Sequence, residues 1–371
     1  MTTVSIKNHC VGCALSQFSK PTLYGKVTKN ITDKELDIRV FCYLCPMQQY
    51  HVRLYTTGEE LPDMTCHNFF HSTELFHIIE KTPGQKPYMA VATNDNNETV
   101  GHILAIVRRR GTWMPPVLYT QGRVYGEGEY ADGVNNEEVF GQLLVVLTRK
   151  LRRKLCFYIE FSNLSRKMFG YRFFRRNTYF PVAWQEVHNS LHSKSPSERI
   201  NAKTLERIEH VYNLGVVTRE AQSEKEVKTF HRLLHNFYRF KFRRLIPPEK
   251  LFLELYNSKR ARIFVTQYKN KIIGGCVCVY SGGNAFLWYL ASRRKRYPHL
   301  HPNMMTIWQA LNWAWKHNYA HLVFLDAGLP FPHNPLREFL LRFGGKPISN
   351  YRWFHFSIGP INRILSWIYK E

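Results

Sequence analysis

Two stretches of this chain carry one pattern. "PYMAVATNDNNETVGHILAIVRRR" (Pro87 to Arg110) holds two strand-like runs joined by a polar turn, and Val100-Gly101 opens the second run. "ARIFVTQYKNKIIGGCVCVYS" (Ala261 to Ser281) repeats it, with "KN" as the turn and Ile273-Gly274 in the matching place. The segments downstream of the two hairpins also match. "NEEVFGQLLVVLTRKLRRK" and "NMMTIWQALNWAWKHN" open on Asn136 and Asn303, residues suited to cap a helix, and continue with helical apolar spacing. Each leads into a short apolar strand, "CFYIEFSN" and "HLVFLDAG", and later to a proline after an aromatic-rich helical segment, Pro181 and Pro347. Recurrence at roughly 170 residues means one supersecondary unit used twice.

The openings correspond in the same way. "YHVRLYTT" and "LGVVTREA" each read as a strand followed by a helical segment, "FFHSTELFHIIEK" in the first copy and "KEVKTFHRLLHNFYRF" in the second. The pattern therefore divides the chain into a cysteine-rich extension (1–49), a first unit (50–190), a linking amphipathic helix (191–213) and a second unit (214–371). Strand, helices, antiparallel hairpin, helix and strand in each unit make an α/β fold of α+β layers.

A composition of 44% hydrophobic and 15% aromatic residues supplies two cores and excludes disorder of the bulk. The 52 Lys and Arg against 28 Asp and Glu leave a net charge of +24. That balance suits polyanionic partners: RNA, anionic lipid headgroups or phosphorylated substrates. "MTTVSIKNHC" lacks the cationic start and apolar core of a secretory signal. Cys66, Cys156, Cys276 and Cys278 lie in apolar contexts and read as buried reduced thiols, which points to a cytoplasmic protein. The uncharged run from Ile272 to Ser292 is long enough for a membrane span. Its central "SGGN" and β-branched, aromatic flanks favour a buried hairpin instead.

The order of these units resembles the FemAB-like branch of the GNAT acyltransferase superfamily, whose members carry two GNAT domains in tandem. The motifs run from "RINAK" through "FHRLLHNFYRF", "IPPEKLFLEL", "KIIGGCVCVY" and "WYLASRRKRYPHLHPNMMTIWQALNWAWKHNY" to "VFLDAGL" and "LREFLLRFGGKP". The resemblance is strong in the second half and weaker in the first, and it rests on the order of the motifs. It implies transfer of an aminoacyl group from aminoacyl-tRNA to an amine of a peptidoglycan precursor, or, as in CelD-type acetyltransferase relatives, acyl transfer associated with polysaccharides. The sequence has neither a long heptad-patterned helical arm nor an R/Q-x-x-G-x-G/A loop, so it does not choose between tRNA and CoA as donor.

Acyl transfer to an amine needs a poised amine, donors for the developing oxyanion and a route for the amine's proton. The loop "SRRKRYPHLHPN" occupies the place where the resemblance puts the donor's phosphates. Arg293, Arg294, Lys295 and Arg296 precede a helix whose Pro302-Asn303 start leaves backbone N–H groups free, which makes a phosphate seat or a solvated basic loop. Asp326, ending an apolar strand, is a candidate to orient the acceptor amine or take its proton, or else a turn stabiliser. Tyr289 is a candidate proton donor or a core aromatic. Glu127 and Glu129 in "YGEGEY" mark a loop that suits an acceptor, or a plain surface loop. Arg239 and Lys241 alternate with aromatics in "YRFKFRRL", a pattern for nucleic acid, for a pyrophosphate headgroup, or for snorkelling cations.

Cys10, Cys13, Cys42 and Cys45 form two C-x-x-C pairs, the usual delivery of four thiolates to structural zinc; unligated thiols, or a start at Met47, are the alternatives. The expectation is thus an N-acyltransferase acting on a cell-envelope precursor, peptidoglycan or polysaccharide. It would be cytoplasmic and in peripheral contact with anionic membrane at the inner face of the plasma membrane. The rival is a zinc-ribbon nucleic-acid-binding protein with a non-catalytic GNAT fold.

Overall fold

The computed structural model describes residues 50–111, 118–238 and 246–369. Cys10, Cys13, Cys42, Cys45, Arg239 and Lys241 lie outside the described residues. The chain runs β1 (His51–Tyr55), α1 (Thr73–Glu80), β2 (Gln85–Thr93), β3 (Thr99–Gly111), β4 (Leu118–Tyr125), β5 (Glu129–Tyr130), α2 (Asn136–Arg153), β6 (Cys156–Ser162), α3 (Tyr171–Arg176) and β7 (Phe180–Ser190). Helices α4 (Pro196–Arg199) and α5 (Ala202–Asn213) lead on to β8 (Val216–Glu220), α6 (Glu224–Tyr238), α7 (Glu249–Asn257), β9 (Ala261–Tyr268), β10 (Lys271–Ser281) and β11 (Asn284–Ser292). The chain then forms α8 (Pro302–Lys316), β12 (His321–Gly328), α9 (Pro335–Leu341), β13 (Lys346–Phe356) and α10 (Gly359–Ile368).

The thirteen strands of the described residues join one sheet, in the order β1-β2-β3-β4-β6-β13-β7-β12-β11-β10-β9-β8, with β5 paired to β3. That order is a palindrome about the β13–β7 pair. The last strand of each half is exchanged: β7 pairs with β12 of the second half, and β13 with β6 of the first. The shift that carries Pro181 onto Pro347 also carries the pair Pro181–Trp353 onto Val187–Pro347. A pseudo-twofold axis therefore runs between β7 and β13, and the halves cannot part without breaking the sheet.

The long uncharged run is the β10–β11 hairpin, and no helix among the described residues is long and apolar enough to cross a membrane. The repeated glycines have a packing reason. A Cβ on Gly101 would lie 3.0 Å from Val139 of α2, and one on Gly274 would lie 2.8 Å from Thr306 of α8. Each glycine lets a helix sit against the strand opening the second arm of its hairpin. Helices α2 and α3 cover one face of the first half, α5, α8 and α9 that of the second. On the other face α1, α6 and α7 share one core that spans both halves.

The helix starts differ from the sequence reading. Asn135 caps α2, its side chain accepting from Glu138 N–H, so Asn136 is the first helical residue. Helix α8 begins at Pro302, whose fixed φ suits the first helical position, and His301 makes the turn with a φ of 39°. Asn303 is thus inside the helix. Cys156, Cys276 and Cys278 are buried free thiols, as expected, whereas Cys66 is only half-buried.

Candidate functional site

The two halves differ at the centre of the repeat. In the first, parallel strands β4 and β6 stay paired from Thr120 to Tyr125, and Gly126 N–H bonds Ser162 O at 2.6 Å beyond them. In the second, β11 and β12 pair only over Ala285–Leu287 and Leu322–Phe324, then diverge. Arg293, the counterpart of Gly126, gives its N–H to Ile273 O of β10 instead. Strand β12 is also irregular against β7 between Phe324 and Gly328. The first half is sealed where the second opens into a V.

Beside this opening lies a cleft of about 530 Å³ lined by Leu290, Phe237, Tyr238, the start of α8 and residues of α9. Among the described residues three arginines border it: Arg294, Arg207 of α5, and Arg342 at the end of α9. Burial, followed by the neighbouring charges of Arg207 and His299, lowers the pKa of His301 at the helix start. The first N–H groups of α8 have no intrahelical acceptors and the helix dipole adds positive potential, so this wall favours an anion. Asn303 lines the cleft, and its side-chain oxygen is buried without a hydrogen-bond partner. Of the predicted basic run, Arg294 lines the cleft; Arg293, Lys295 and Arg296 are exposed and do not.

Asp326 sits on the diverging part of β12 with its side chain 37% exposed. Arg352 of β13 reaches it across β7: one guanidinium nitrogen lies 3.7 Å from Asp326 Oδ1 and donates to Leu325 O at 2.7 Å. The other lies 3.2 Å from Glu160 Oε1, and the guanidinium stacks 3.9 Å from the Trp184 ring centre. Glu160 also meets Arg123 at 3.5 Å and Gln121 Nε2 at 3.2 Å. Burial opposes the Arg123 charge, but Glu160, followed by Tyr125, Asp326 and Tyr289, holds its pKa above the ordinary arginine value. Tyr289 is 2% exposed and packs edge-on against Phe252, as a core wall of the same cluster.

A second pocket, of about 430 Å³, lies between the halves and is lined by Glu127, Glu129, His67, Asn163, His188 and His321 among others. Both carboxylates hold backbone. Glu127 accepts from Ser165 N–H at 2.7 Å, and Glu129 from His67 N–H at 2.7 Å and Asn68 N–H at 3.1 Å. They fix three loops around the pocket. Among the described residues no group of three His, Cys, Asp or Glu side chains is placed to hold a metal ion.

Sequence reasoning missed Arg352, Glu160, Arg207 and Arg342. Each becomes part of a site only through pairing between distant segments; Glu160 and Arg342 stood in quoted stretches, "CFYIEFSN" and "LREFLLRFGGKP", without a role assigned to them.

Residues 202–331 match the Acetyltransferase (GNAT) domain family. No curated protein matches the chain in sequence. Among solved structures the fold is similar to that of FemX, with 11% identity, a TM-score of 0.57, and coverage of 85% of this chain and 100% of that one. It is similar also to L-PGS from Bacillus licheniformis (11% identity, TM-score 0.52, 80% and 92% covered). A tandem GNAT protein from the clavulanic acid biosynthesis pathway gives 10% identity, a TM-score of 0.52, and 83% and 99% covered. At such identities the likeness is one of fold. The chain has the tandem fold shared by FemX and the tandem GNAT protein, and the matched GNAT domain is the half in which β11 and β12 open.

Proposed function

We propose that this protein is an N-acyltransferase that moves an aminoacyl or acyl group from aminoacyl-tRNA or acyl-CoA to an amine of a cell-envelope precursor. The observation that carries this reading is the β11–β12 opening, which has an electropositive cleft beside it and a partly exposed carboxylate, Asp326, on its diverging edge. In this reading Arg294, Arg207, Arg342 and the first turn of α8 take the donor's phosphates. The stretch of β11 beyond Leu287, where it has diverged from β12, lies along the donor's acyl arm. The acceptor nitrogen attacks the acyl carbon, an amide bond forms, and the ester C–O or thioester C–S bond breaks. The proton lost by the amine passes to Asp326 and the leaving alkoxide or thiolate takes up a proton, with the Tyr289 hydroxyl as its candidate source. Glu127 and Glu129 shape the pocket assigned to the acceptor.

The test is fluorescence anisotropy with labelled tRNA at low and high salt, with CoA and acetyl-CoA as competitors. Salt-sensitive tRNA binding indifferent to CoA identifies the aminoacyl-tRNA donor; displacement by CoA identifies acyl-CoA. Arg294→Ala with Arg342→Ala should raise the donor's Kd by roughly tenfold or more at unchanged Tm. Unchanged affinity would remove the cleft from the reaction.

A further inference from the structure

Helix α10 has apolar residues on two sides: Ile361 and Leu365 are half-buried against the protein and Tyr369 stacks on Phe180, while a second apolar stripe faces away. Its one fully buried side chain is Asn362, which accepts from Phe356 N–H at 2.8 Å and donates to Thr178 O at 2.9 Å. Ile364, Trp367 and Ile368, which share the opposite side at i, i+3 and i+4, are 59%, 76% and 57% exposed. A helix folded only against its own domain turns its apolar stripe inward. This one is held by the Asn362 hydrogen bonds together with Ile361, Leu365 and Tyr369, and still leaves the second stripe outside.

The surroundings say what covers it. Ser357, just before α10, bonds the carbonyls of Cys156 and Phe157, which brings the α2–β6 turn alongside. That turn is Arg152-Arg153-Lys154-Leu155, with Leu155 80% exposed. Across a groove from Arg363 and Trp367 stands Arg175 of α3, followed by Arg176. These cations are exposed. No Asp or Glu occurs between Glu138 and Glu160, between Glu160 and Glu186, or between Glu338 and Glu371. The described segments that flank α10 therefore carry an excess of positive charge. A second copy of the same face would set these cations against their equals, and a nucleic acid would use the charges but leave Ile364 and Ile368 in water. An anionic bilayer satisfies both features, since an indole and aliphatic side chains lie at the headgroup boundary while arginines meet the phosphates.

We propose that α10 and the α2–β6 turn form a surface that docks on anionic membrane, with Trp367, Ile364 and Ile368 entering the interface. This surface shares no residue with the donor cleft, and its test needs no catalytic activity. The full chain is mixed with vesicles of phosphatidylcholine alone, or of phosphatidylcholine with phosphatidylglycerol, and recovered by flotation. Binding is expected only to the anionic vesicles and is expected to weaken with salt. The variant Ile364→Ser with Ile368→Ser should bind roughly tenfold more weakly. Replacing Arg152, Arg153 and Lys154 by Gln should cost about a hundredfold. As both sets of side chains are exposed, Tm should stay unchanged. Brominated lipid should quench tryptophan emission in the wild type, and much less in Trp367→Phe. Equal binding to neutral vesicles, or anionic binding unaffected by the serine variant, would overturn the proposal. So would self-association abolished by that variant in a protein that ignores vesicles, or RNA binding without lipid binding.

Discussion

Replacing Arg352 by Met tests whether the central charge cluster holds the open edge of β12. The substitution keeps the length of the stem but removes the contacts to Glu160 at 3.2 Å, Leu325 O at 2.7 Å and Asp326 at 3.7 Å, and the stacking on Trp184. Removing one partner of a buried ion pair typically costs about 3–5 kcal/mol, because the other charge is left in low dielectric. Here Glu160 keeps Arg123 at 3.5 Å and Gln121 at 3.2 Å, so the low end, about 3 kcal/mol, applies. The expected fall in Tm is roughly 4 °C for a chain of this size. If the cost lies in the stranded carboxylate, adding Glu160→Gln to Arg352→Met should be less destabilising than the two single changes summed, by about 1–2 kcal/mol. Denaturant midpoints for the four proteins of the cycle measure this. Because Arg352 acts through Leu325 and Asp326, Arg352→Met should also lower kcat with a smaller effect on the donor's KM, and Arg352→Lys should recover only part of it, lacking the planar fork. A stability within about 0.5 kcal/mol of wild type, or an additive cycle, would refute the reasoning.

Two further outcomes rest on other parts of the fold. His71 is fully buried; burial first, then the nearby His102, lowers its pKa to about 3. The unfolded chain then binds a proton that the folded chain refuses, so stability falls as pH drops below the ordinary histidine value, by about 2 kcal/mol at pH 5. Thermal melts should show this slope in the wild type and a shallower one in His71→Gln; parallel slopes would exclude His71 as the source. Gly274→Ala should destabilise by roughly 1–3 kcal/mol, because the new methyl meets Thr306 at 2.8 Å and the Pro302 carbonyl at 3.2 Å. As that contact is the seat of α8, donor affinity should fall with it, which anisotropy would read. An unchanged melt would mean that α8 shifts freely.

The order of elements was legible because each repeated unit has its own local signals: a turn between β runs, a glycine where the second run opens, helical spacing after it. Glycine could be read as a marker, though not its reason, which is the distance from Gly274 to a helix that begins 28 residues later. What local signals do not carry is partnership. Nothing near Pro181 or Pro347 says that each lies in a strand bound to the other half, and so Arg352 gave no sign of meeting Glu160 and Asp326. The basic run was visible for the opposite reason, being contiguous, yet contiguity overstated it, since only Arg294 borders the cleft. The helix starts missed for a finer cause: two asparagines in sequence offer two caps, and a proline after a residue able to take positive φ outcompetes an asparagine beyond it.

Duplication explains why one half can be open and the other closed without loss of the fold. In a doubled sheet, the exchanged strands β7 and β13 brace the centre from both sides, so the pairing that β12 gives up beyond Phe324 is compensated through Arg352 rather than by a neighbouring strand. The first half has no such need: Gly126 closes on Ser162, and the β4–β6 ladder runs to its end. A closed half beside an open one divides the labour that the proposed reaction requires, the closed one giving a rigid wall and the inter-half pocket, the open one admitting the donor. Forcing the first half open, by replacing Gly126 with a residue that cannot hold its φ of 98°, should therefore weaken the inter-half pocket while leaving donor binding intact. Equal loss of both functions would mean that the halves act as one unit instead.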